Sequence, residues 1–114
     1  MGNAGIKEIE ITIEDCKEVI AAGAVLERLL NDADFNALIM KGYMEKESHR
    51  LTLLLGDPAC ETAQGRENVL RDLSAIAQLN AHFRKIRTSA SVAKRTLKEH
   101  EELLQERLVE DLEE

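Results

Sequence analysis

From Arg66 to the carboxyl end the chain contains neither proline nor glycine, so nothing in that stretch stops a helix once it has started. The feature extends to the whole sequence, because proline occurs once, at Pro58, and the helix interior is where proline is least tolerated. The 114 residues are 44% hydrophobic and 32% charged, which excludes an acidic disordered chain. Three aromatic side chains, Phe35, Tyr43 and Phe83, leave any core to Leu, Ile, Val and Ala. The fold class predicted is therefore all-α, a helical hairpin or bundle with a long carboxy-terminal helix and coiled-coil-like oligomer contacts.

The expected organisation is a flexible or extended arm over residues 1–12 followed by one helical domain over 13–114 with an acidic tail. Ile9, Ile11 and Ile13 alternate at period two, as in an extended arm, although Thr12 followed by Asp15 also matches a capping-box-like start. Helices are expected at about 13–31, 34–55 and 66–110. Cys16, Val19, Ile20, Val25, Leu26, Leu29 and Leu30 supply the apolar residues of the first. Its Gly23 either permits close helix approach or costs about 1 kcal/mol of propensity. Asp32 or Asp34 is a natural N-cap for the second helix, and Gly56-Asp57-Pro58 ends it by a glycine C-cap with a proline shortly after. Residues 57–65 read as a loop or short turn, which leaves Cys60 a candidate reactive, exposed thiol and Cys16 a small core hydrophobe.

At 1.5 Å per residue a continuous third helix of about 45 residues would reach roughly 65–70 Å, so it either bends near Thr88-Ser89-Ala90-Ser91 or projects. Its seam runs Leu73, Ile76, Asn80, Phe83, then an extra step of three to Ile86, and resumes with Ala90, Ala93, Leu97, His100 and Leu104. Steps of three and four with a polar Asn among them are the pattern of helices that pair lengthwise. The helix-helix interface expected from it comprises Leu73, Ile76, Asn80, Phe83, Ile86, Ala93, Leu97 and Leu104.

Chemistry-bearing patterns are scarce. His49, His82 and His100 lie far apart, without an HExxH or a cysteine at ligand spacing, so no metal site is expected. Glu45 and His49 share a helix face at i and i+4, but acid next to base on an exposed helix is more often a solvated pair than a catalytic one. No phosphate-cradling glycine motif is present, and no catalytic, cofactor-binding or metal-ligating residues are assigned. Cys16 and Cys60 form no CxxC, and the amino terminus lacks a basic, apolar and small-residue succession, which points to a reducing compartment. No apolar run approaches the roughly 20 residues of a bilayer span, so no membrane partner is expected.

Net charge is −7, unevenly spread: residues 82–98 carry six basic groups and no acid, whereas 99–114 carry eight acidic groups and one base. The basic block, with His82, Arg84, Lys85, Arg87, Lys94, Arg95 and Lys98, has three readings: a solvated helix face, a dock for an acidic segment of a neighbouring subunit, or a contact to nucleic acid. The acidic end, with Glu106, Glu110, Asp111, Glu113 and Glu114, serves solubility or mimics phosphates toward a nucleic-acid-binding partner.

The run from Asp34 and Phe35 through Leu38, Ile39, Met40, Lys41, Gly42 and Tyr43, on through Glu47 to Leu51 and to Leu54, Leu55, Gly56, Asp57 and Pro58, resembles a group of small acidic helical proteins of tailed bacteriophages. So do Leu73 to Ile76 and Ala93 to Glu102, and the resemblance covers about residues 30–105. It implies a viral origin and a place among head-assembly and structural products, without enzymatic activity and without transferring any functional residue. Residues 6–31 depart from it, which leaves the site of action open. The expected partners are the chain itself or viral head or connector proteins, in the virion or the host cytoplasm. The alternative is a viral regulator that binds a host protein through its acidic surfaces.

Overall fold

The computed structural model describes the backbone of residues 2–113 and the side chains of residues 5–113. Among the described residues every regular element is helical. Helix α1 spans Gly2–Leu30, α2 is a single turn over Ala33–Phe35, a π-helix runs Asn36–Glu47, α3 spans Ser48–Leu54, a 3₁₀ turn covers Pro58–Cys60, and α4 spans Ala63–Glu113. Packing divides the chain into two units, Met1–Leu26 with Lys85–Glu114, and Glu27–Arg84, where the sequence suggests one domain.

The extended arm is replaced by helix. Ile9 and Ile13, four apart, are buried with Cys16, Gly23 and Leu26 on one stripe, while Ile11 between them is 53% exposed. The period-two isoleucines are thus one pair on the packed face and one residue on the outer face of a helix. Thr12 caps nothing; its hydroxyl donates to the Glu8 carbonyl one turn back, at 3.1 Å. In this unit α1 runs antiparallel to the carboxy-terminal part of α4. A shallow groove places Gly5, Glu8, Ile9 and Thr12 beside His100, Leu103 and Arg107, and nearer the other end Gly23 meets Ala90. The stripe of α4 that faces α1 contains Ala90 and Ala93, both buried, flanked by half-buried Ile86, Leu97, His100 and Leu104. The His100 Nδ1–H donates to the Thr96 carbonyl at 3.0 Å, which turns its ring along the helix.

A Cβ placed on Gly23 would lie 2.5 Å from the Ala90 Cβ, so of the two readings of this glycine the close approach holds. With Cys16, Gly23, Ala90 and Ala93 at the contact, the helices approach closely but bury little area per residue.

In the second unit Asp32 caps α2, accepting from the Phe35 N–H at 2.8 Å. The side-chain amide of Asn36 donates to the carbonyls of Leu30 and Asp32, so it ties the end of α1 to the start of the next rod. The expected helix 34–55 is helical but not uniformly α. Its inward positions fall at Phe35 and Asn36, Ile39 and Met40, Tyr43 and Met44, Glu47 and Ser48, then Leu51, a strict period of four. On an α-helix at 3.6 residues per turn such a stripe slips by about 40° per step, or about 160° over four steps. The wider i→i+5 turn keeps it on one side.

The glycine C-cap at Gly56 is also corrected. Among the described residues no glycine has positive φ, and the rod ends by tightening: Leu55, Gly56 and Asp57 N–H groups bond back three residues to Thr52, Leu53 and Leu54. Asp57 then caps the 3₁₀ turn, accepting from Ala59 N–H at 2.8 Å, and Thr62 caps α4, accepting from Gly65 N–H at 3.0 Å. The last helix therefore starts three residues before the expected Arg66 and runs without interruption through residues 88–91. Leu51, Cys60, Val69 and Ile76 form the core of this unit, with Tyr43, Met44, Leu54, Leu55 and Leu73 packed around it. Phe35 and Phe83 close one end, ring centroids 6.1 Å apart.

Candidate interaction surface

The eight seam residues divide between the two units, and most of them pack within a single copy. Ile76 and Ala93 are buried; Leu73, Phe83, Ile86, Leu97 and Leu104 are half-buried. Asn80 is exposed instead, and half-buried Leu79 takes its place on the stripe. An aliphatic neighbour one residue away lets the chain leave the amide in water, where burial would have required a hydrogen-bond partner. The extra three-residue step consequently lies between Ile76 and Leu79, and from Phe83 onward the alternation through Ile86, Ala90, Ala93, Leu97, His100 and Leu104 is unbroken.

Cys60 is not an exposed thiol. It is buried in the core of its unit, and its S–H points at the Gly65 carbonyl at 3.8 Å. Cys16 is buried too, on the packed stripe of α1. Glu45 and His49 are both exposed and no hydrogen bond joins them among the described residues. Among the described residues no group of three His, Cys, Asp or Glu side chains converges in metal-binding geometry, and no helix is long and apolar enough to cross a membrane.

Two surfaces stand out. In the first unit a groove of about 390 Å³ runs between α1 and α4, lined by Thr12, Cys16, Val19, Ser89, Val92 and Ala93, with Asp15, Thr88 and Thr96 at its edges. Among its apolar lining, Val19 is 37% and Val92 47% exposed, so these two valines stand at the rims. In the second unit a groove of about 480 Å³ is lined by Met40, Met44, Leu73, Ile76 and Ala77, edged by Glu45, Ser48 and Asn80. The π-helix aims the two methionines there, and methionine is the apolar side chain that best adapts to different neighbours. Neither groove was legible as a site in the sequence, although Val92 stands beside the seam there.

Charge adds little inside either unit. Two ion pairs are short-range, Glu14 with Lys17 at 3.4 Å and Glu47 with Arg50. Arg50 grips Glu47 through two bonds, Nε to Oε2 at 3.0 Å and Nη2 to Oε1. The donated hydrogen bonds hold the Glu47 carboxyl below the ordinary glutamate range, with the Arg50 charge adding to the effect. Every member of the basic block, His82, Arg84, Lys85, Arg87, Lys94, Arg95 and Lys98, is exposed, as are the acidic groups from Glu99 to Glu113.

Comparison with known protein families, with curated proteins and with solved structures finds no match to this chain.

Proposed function

We propose that the chain is a non-enzymatic structural or assembly subunit of a bacteriophage, present in multiple copies and acting through helix-helix contacts with itself or with head or connector proteins. The viral part of this reading is supported by the resemblance over about residues 30–105. The observation that carries the contact part is apolar exposure: among the described residues eleven large apolar side chains, from Ile11 to Leu112, are exposed, and ten buried hydrophobic residues serve both units. A core so thin gains from coverage by another helical surface.

The test is partition of the chain after infection. Co-sedimentation with particles or head intermediates, resistant to high-salt washing, is the expected result. Recovery only from soluble host lysate, bound to a host protein, would replace this reading with the regulator that uses the acidic surface.

A further inference from the structure

The apolar groove between α1 and α4 lies on one flank of its two-helix unit, and the stripe it belongs to continues along α4. Stepping by three and four from Ser89, Val92 and Thr96 reaches Lys85 in one direction, and Glu99, Leu103 and Glu106 in the other. Arg95 borders this stripe. The flank is thus apolar in the middle, basic toward residue 85 and acidic beyond residue 98. Lys85, Arg95, Glu99 and Glu106 are exposed and make no ion pair or side-chain hydrogen bond among the described residues.

We infer that this flank is a self-complementary surface, and that its occupant is the same flank of a second copy with the two α4 helices antiparallel about a two-fold axis. The charge order selects that arrangement. With the two Val92 side chains on the two-fold, position 85 of one copy stands opposite position 99 of the other, so Lys85 meets the Glu99 of the second copy and the two-fold repeats the match, as an isologous contact requires. A parallel copy would set base against base and acid against acid. The rims Val19 and Val92 meet their counterparts, and the small residues Ala22, Ser89 and Ala93 let the backbones come near. The seam residues already pack within one copy, so this flank is what they leave for a neighbour. The assignment rests on reading the chain as a multicopy subunit and specifies where two copies meet.

The test uses the full chain and light scattering over a concentration series. The wild type is expected to double its monomer mass and to dissociate as salt rises. Val19→Lys with Val92→Lys, both at exposed positions, should halve that mass while helical circular dichroism is retained. Retention of the dimer by this variant would overturn the face while leaving the multicopy reading intact; a wild type that is monomeric at every concentration would overturn the self-contact, and particle partition would then decide the broader reading. Should the valine variant lose helicity, a charge pair decides independently. Lys85→Glu, and separately Glu99→Lys, should each be monomeric alone and dimerise when mixed. Dimers formed by either charge variant alone would refute the arrangement.

Discussion

Replacing Gly23 by Ala probes how closely α1 and α4 approach. On an isolated helix the change is favourable by about 1 kcal/mol, because alanine is the best helix former and glycine a poor one. Here the new methyl would stand 2.5 Å from the Ala90 Cβ, against about 3.5–4.0 Å for ordinary carbon contact. The obstacle is a Cβ fixed to the backbone of α4, so no rotamer relieves it and the helices must part locally by about 1 Å. Overpacking of this kind costs about 1–3 kcal/mol. Subtracting the propensity gain leaves Gly23→Ala destabilising by up to about 2 kcal/mol. Ala90→Gly alone should cost about 1 kcal/mol through propensity. The double variant exchanges methyl and hydrogen across the same contact and should return close to wild type, a coupling of about 1–3 kcal/mol. Urea unfolding followed by circular dichroism measures all three. If Gly23→Ala raised stability by the propensity increment and the two changes added within about 0.5 kcal/mol, the close approach would be refuted.

Three further predictions concern the second unit. Asp32→Ala should lower stability by about 0.5–2 kcal/mol in urea unfolding, because it leaves the Phe35 N–H without its capping oxygen. Cys60, buried beneath Val69 and Ile76, should react with a thiol reagent only in step with unfolding, and rapid modification in the native state would contradict its place in the core. The Glu47 carboxyl should titrate below ordinary glutamates by NMR and return to their range in Arg50→Ala. A lowered folded value means that its contribution is present above the unfolded pKa and is lost as pH falls through the folded one, so any destabilisation by Arg50→Ala should shrink on acidification.

The helical class was legible because composition and the missing breakers allow little else. The cap at Asp32 was legible because Asp precedes an apolar stretch at the right distance. What escaped was periodicity that two geometries share. Ile9, Ile11 and Ile13 satisfy a strand period, but Ile9 and Ile13 with Cys16 also satisfy the helical one, and burial of only two of the three isoleucines selects the helix. The period of four from Phe35 to Leu51 stands openly in the sequence, yet its meaning depends on holding one stripe against α4, a tertiary demand that α-helical periodicity does not convey. Thr62, three residues before Gly65, was a readable N-cap hidden by the two glycines that made its segment look like a loop.

The seam shows a different limit. Seven of its eight residues are buried or half-buried, but a sequence does not say whether the matching stripe belongs to another copy or to the same chain. Asn80 misled because a polar residue at a seam position suggests a register device, whereas Leu79 beside it can occupy the stripe and leave the amide solvated. The flank with Val19 and Val92 was hard to see because its groove is built from small side chains contributed by two distant segments.

If one copy leaves helix faces that other copies cover, its mass in solution must exceed that of a single chain. The solution mass of the purified full chain by light scattering, over a concentration series at low and high salt, tests it most directly. A defined multiple of 12.8 kDa that falls toward the monomer on dilution or at high salt is expected; a stable 12.8 kDa species at every concentration would rule out self-association.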